Sequence, residues 1–82
     1  MALLKISDIN YSGMQSKVYI YEDMEEQLYL IALPEFNWSL EVETSLNEDD
    51  IKEELVIHLF TLLDESTAIE VAVNIVKRIS EN

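Results

Sequence analysis

The sequence predicts an α+β fold: a three- to four-stranded antiparallel β-meander, followed by an antiparallel helical hairpin packed on one sheet face. Apolar residues alternate up to about residue 45 and recur at helical spacing beyond it. Strand signals precede helix signals without interleaving, so the order is β-β-β-(β)-α-α and the architecture a two-layer sandwich. The 82 residues are expected to form one domain, 1–82. A chain of that size buries only about 60% of the surface its unfolded form exposes.

The strands follow in order. Leu3–Ile6, extendable to Tyr11, is the weakest, and Ser12-Gly13 reads as the turn that ends it. Lys17–Tyr21 and Gln27–Leu33 are rich in β-branched and aromatic residues, and the acidic Glu22–Glu26 between them has hairpin length. Pro34 suits a tight turn because its ring fixes φ, and Asn37 tolerates left-handed backbone. In Trp38–Glu43, Trp38, Leu40 and Val42 point one way and Ser39, Glu41 and Glu43 the other, as in a half-buried strand. By this parity Trp38 is an anchor under the helices, and Phe36 is left at the loop tip.

The first helix begins at a cap on Ser45 or Asn47 and stops near Asp64. Glu48, Asp49 and Asp50 lie where the helix dipole favours negative charge. Its stripe is Ile51, Leu55, Leu59 and Leu62, widened by Val56, Phe60 and Leu63. Thr67 and Glu70 have capping-box spacing for a second helix. Its expected stripe is Ile69, Ala72, Val73, Val76 and Ile79, with Val71 and Ile75 in excess.

A two-layer sandwich needs one apolar sheet face, yet the middle strands are apolar on both. Val18, Ile20, Leu28, Leu30 and Ala32 form one alternation set; Tyr19, Tyr21, Tyr29, Ile31 and Leu33 form the other. If the first set meets the helices, the second faces outward. A contiguous apolar patch of several hundred Å² marks an interface. Tyrosine suits such a surface, since its ring packs while its hydroxyl stays wet. The candidate interaction surface is therefore Tyr19, Tyr21, Tyr29, Ile31 and Phe36, or else the excess apolar surface of the second helix, joining two copies as a homodimer or meeting another protein. The competing reading is cross-strand tyrosine pairs stabilising an exposed sheet.

No enzyme signature is present. The single histidine, His58, lies in LVIHLF with Glu54 one turn away, and lacks the second histidine of a metal-binding helix. One glycine leaves no phosphate-cradling loop, and the nucleophile-elbow motif is absent. The protein is expected to be non-enzymatic, without cofactor, metal or catalytic residues. A small-molecule pocket, if present, is expected between sheet and helices near Trp38 and Phe60. With no cysteine there is no disulfide framework, and with no apolar run near 20 residues no membrane-spanning helix is expected. A soluble, cytoplasmic protein is the expectation.

Seventeen acids against five bases give a net charge of −12. Such a surface repels phosphate backbones and anionic lipid, which argues against direct nucleic-acid or membrane partners. Glu41, Glu43, Glu48, Asp49, Asp50, Glu53 and Glu54 form a candidate acidic patch. In size and charge alone the chain resembles phage-type DNA mimics, which would make it an acidic inhibitor of a basic protein surface. A solvated helix start explains the same charges.

The combination VYIYED, then YLIALPEFNWS, then an acidic two-helix tail resembles the YueH-like family of small proteins from Bacillus and its relatives. The resemblance covers most of the chain. It implies a bacterial cytoplasmic protein and carries over no functional residues, because that family has no characterised activity.

Overall fold

Ser12 and Gly13 have φ of 48° and 74°, the paired left-handed backbone that a two-residue hairpin turn of matching twist requires. They join β1 (Ala2–Tyr11) to β2 (Met14–Asp23), and the antiparallel register runs from Ala2↔Asp23 to Tyr11↔Met14. Both strands are ten residues long, so the weak N-terminal strand extends over its whole permitted range. The structure, a computed structural model, describes residues 2–81; residues 1 and 82 of the expected domain lie outside that range.

After β2, Asp23 closes the acidic connection by accepting the backbone N–H groups of Glu25 and Glu26, both at 3.1 Å. Then follow β3 (Leu28–Leu33), a single 3₁₀ turn over Pro34–Phe36, and β4 (Trp38–Glu43). The Pro34 carbonyl accepts the Asn37 N–H at 3.0 Å, and Asn37 takes φ 54°, the left-handed conformation expected of it. PEFNWS is thus a corner. Its Phe36 ring packs on Tyr11 at 5.8 Å, and Glu35 accepts a hydrogen bond from the buried Ser16 hydroxyl, which also meets the Tyr11 hydroxyl. Trp38 and Leu40 pack against the core beside the buried Val42, which bears out the inward parity of β4. The four strands form one sheet in the order β1-β2-β3-β4.

Helix α1 (Glu48–Leu59) is capped by Asn47, whose side chain accepts the Asp50 N–H at 2.8 Å. Asn47→Ala is expected to cost about 1 kcal/mol, read by urea unfolding. The helix ends five residues before the expected Asp64, because the N–H groups of Leu62 and Leu63 both turn back to the Leu59 carbonyl. Leu62 and Phe60 therefore leave the stripe and are exposed, while Ile51, Leu55 and Leu59 are buried.

Helix α2 (Glu65–Ser80) starts earlier than the Thr67–Glu70 capping box implies. Asp64 is the cap: it accepts from Thr67 N–H and Ser66 Oγ, while Glu70 reaches the Ser12 N–H. Hydrogen bonds from Thr67 and then Ser66 hold the Asp64 carboxyl below its usual range. Folded Asp64 thus binds a proton less readily than unfolded Asp64. Its stabilisation is full above the unfolded pKa of about 3.9 and is lost as pH falls through the lower folded value. Asp64→Asn does not titrate, so the stability gap between the two proteins is expected to narrow as pH drops below about 4, measured by thermal melts.

The buried face of α2 also differs from the expected stripe. Ala68, Val71, Ala72 and Ile75 are fully buried, Val76 and Ile79 flank them, and Ile69 and Val73 are exposed. Val71 and Ile75, which looked surplus, are core. The rotation follows from polar contacts with β1: Glu70, Asn74 and Arg78, four residues apart, bond Ser12 N–H and the carbonyls of Asn10 and Asp8. Four residues of helix rise about 6 Å and two of strand about 6.8 Å, so one helical row can track one strand edge. The Lys5 ammonium completes the seam on the carbonyls of Arg78 and Glu81 at the helix end. Sheet residues Ile9, Tyr11, Val18, Ile20, Ile31, Leu33 and Val42 meet the helices in a single core.

Candidate interaction surface

Register decides what the outer sheet face carries. Cross-strand partners share a face, and the pairs Tyr19↔Ala32 and Tyr21↔Leu30 fix β3 against β2. Leu28, Leu30 and Ala32 therefore share the outer face with Tyr19 and Tyr21. Tyr29, Ile31 and Leu33 turn inward with Val18 and Ile20. Sequence alternation defines the two faces of each strand but not which face joins its neighbour's; the connection sets that.

Three members of the expected surface are thereby corrected. Ile31 is 0% exposed, in the core. Tyr29 is half-buried on the inner face, where burial and, secondarily, the Glu22 charge raise its phenol pKa. Phe36 is half-buried against Tyr11 and the core. Tyr19 and Tyr21 stay on the outer face, 36% and 37% exposed.

The residues that replace the lost three come from β1 and β3. Leu4 pairs with Tyr21 and Ile6 with Tyr19, and both are more than half exposed, at 60% and 52%. Leu30 is 38% exposed on the other side of Tyr21. Leu4, Tyr19, Tyr21, Leu30, Ala32 and Pro34 line a shallow concavity of about 500 Å³. The two helices lie on the opposite side of the sheet. No two outer tyrosines are cross-strand partners, so tyrosine pairing does not account for this face. The signal for Leu4 and Ile6 was the alternation Ala2, Leu4, Ile6 in the strand that read most weakly.

Charge rims the face without covering its centre. Lys17 and Asp8 form an exposed pair at 2.7 Å at one end, where the Asp8 carboxylate raises the Lys17 pKa. Glu41 and Glu43 are exposed along β4. The other members of the acidic patch, Glu48, Asp49, Asp50, Glu53 and Glu54, are on α1 in the opposite layer. The fold therefore divides the seven acids between two faces.

His58 is exposed; its Nδ1 lies 2.9 Å from the Glu54 carbonyl oxygen and 3.7 Å from the Glu54 carboxylate. It does not border the core. Among the described residues no cluster of three or more histidine, cysteine or acidic side chains is arranged to hold a metal ion. The concavity between sheet and helices opens away from Trp38 and Phe60, beside Leu3, Lys5, Tyr29 and Ile79. No helix among the described residues is long and apolar enough to cross a membrane.

Fold and surface together define a small α+β protein with a four-stranded sheet, covered by helices on one face and bare and apolar on the other. The family model for YueH-like protein matches residues 5–81, and the chain belongs to that family. No curated protein and no solved structure matches it significantly.

Proposed function

We propose that this protein is a non-enzymatic, cytoplasmic protein-interaction module whose docking surface is the outer sheet face. The observation that carries this is the contiguous apolar stretch Leu4, Ile6, Tyr19, Tyr21 and Leu30 on the sheet face that the helices leave bare. Exposed apolar side chains gathered in one patch, rather than scattered, are what protein contacts cover. The rim of Asp8, Lys17, Glu41 and Glu43 gives such a contact the polar border interfaces have.

The acidic-inhibitor reading has less support, because its seven carboxylates do not share a face. The two readings differ in salt dependence: an apolar contact survives moderate salt, whereas an acid-to-base contact weakens steeply. The test is retention from native lysate on the immobilised chain, at low and high salt, beside Leu30→Glu. Protein retained at both salts by the native chain and lost with Leu30→Glu is the expected result. Retention that disappears in salt favours the acidic inhibitor, and retention indifferent to Leu30→Glu contradicts the docking face.

A further inference from the structure

The sheet has two edges, β1 and β4, and they are protected unequally. An unguarded edge offers free N–H and C=O groups to any strand that can pair with them. In a two-residue hairpin the closing pair, here Tyr11↔Met14, exchanges both ladder bonds, and every second residue then points its backbone outward. On β1 these are Asn10, Asp8, Ile6, Leu4 and Ala2. The contacts of α2 agree with that phase, since Asn74 and Arg78 donate to the carbonyls of Asn10 and Asp8. The helix ends at Ser80, so the last residue of that row is Arg78, opposite Asp8, and the helical row does not extend to Ile6. Among the described residues nothing bonds the outward backbone of Ala2, Leu4 or Ile6. The β4 edge is six residues long and carries the exposed Glu41 and Glu43, charges that discourage pairing.

We propose that Ala2–Ile6 of β1 pairs antiparallel with the same segment of a second copy, joining two four-stranded sheets into one. Charge selects this occupant and this edge. Ala2–Ile6 contains no carboxylate in a chain of seventeen acids, while β4, with Glu41 and Glu43, is at the far side of the sheet. Two copies of net charge −12 thus approach at β1 with their most acidic edge turned away. The one charge in the segment, Lys5, is turned to the inner face and engaged by the end of α2.

Charge also selects the register. A two-fold axis at Lys5 would set two ammonium groups directly opposite each other, which is unfavourable. An axis at Leu4 sets Leu4 against Leu4, Ala2 against Ile6 and Lys5 against Leu3, with no like-charge pair. The outward groups of Ala2, Leu4 and Ile6 are then all bonded. Leu4 and Ile6 of both copies meet on the outer side, so the two apolar faces become continuous. The pairing goes beyond the docking-face reading: it joins the β1 edges of two copies and leaves Leu30, on β3, free for a further partner.

Sedimentation equilibrium of the full chain, from micromolar to millimolar concentration, tests it with four variants. The native chain is expected to reach twice its 9.5 kDa mass. Ile6→Pro removes an outward N–H that β2 does not use, so it is expected to stay folded by circular dichroism and to remain monomeric. Leu4→Lys and Leu4→Glu each set like charges on the axis and are expected to weaken association roughly tenfold or more, while their equimolar mixture restores it. Leu30→Glu is expected to dimerise as the native chain does. The charge-swap pair decides the matter if Ile6→Pro unfolds. A native chain that stays monomeric, a dimer that survives folded Ile6→Pro, or a mixture that fails to restore association overturns the pairing. A dimer lost with Leu30→Glu but kept with Ile6→Pro also overturns it, and supports the docking face instead.

Discussion

Leu55→Ala is expected to destabilise the protein by about 2–5 kcal/mol, through lost transfer energy and the cavity left behind. Leu55 is fully buried at the centre of α1, between Ile51 and Leu59 on the same buried row. A small domain has only about 5–15 kcal/mol in total, and an 82-residue one belongs toward the lower end. The melting temperature is therefore expected to fall by about 10 °C or more. Leu62→Ala is the informative companion. Leu62 continues the same sequence stripe, but α1 has ended before it and the side chain is exposed, so its loss is expected to cost under about 1 kcal/mol. Equal effects at the two leucines, by urea unfolding of both variants, would contradict the early helix end.

Leu30→Glu is expected to separate folding from binding. Leu30 projects from β3 onto the outer face, away from the core, so the change is expected to alter stability by about 0.5 kcal/mol or less. In a docked complex the same carboxylate would be desolvated in an apolar contact with no partner, at a cost of about 3 kcal/mol or more. That is over a hundredfold in affinity, by the rule of about 1.4 kcal/mol per factor of ten. Titration calorimetry with a purified partner checks the binding loss, and a urea melt of the free chain checks the fold. An unfolded variant would mean that Leu30 supports the sheet itself.

The architecture was legible because period is a local property. Alternation in Trp38–Glu43 yields a strand with those bounds, and the change to helical spacing after Ser45 separates the two layers. Asn37 in a left-handed turn, Ser12-Gly13 in a hairpin and Trp38 facing the core all followed from single-residue chemistry. The make-up of the outer sheet face was half legible. Tyr19 and Tyr21 were read correctly as outward, but placing Tyr29 and Ile31 beside them assumed a register between β2 and β3. That register is set by the connection that pairs Asp23 with Leu28, and no periodicity reports it. The face of α2 was missed for a related reason. Ile69, Val71, Val73 and Ile75 are all apolar, so the winning stripe depends on the seam of Glu70, Asn74 and Arg78 with β1, a contact across more than fifty residues of chain. Phe36 looked like a loop tip because its partner, Tyr11, is on a strand the sequence marks only weakly.

The claim that the outer sheet face is a protein contact is tested most directly by a photoreactive benzophenone amino acid in place of Tyr21, at the centre of the patch, irradiated in native lysate. The same group in place of Ile57, exposed on α1 in the opposite layer, is the control. A discrete adduct from position 21 and none from position 57 is the predicted result, and an adduct of twice the chain mass would identify the partner as a second copy. No adduct at position 21, or the same adducts from both positions, would contradict the claim.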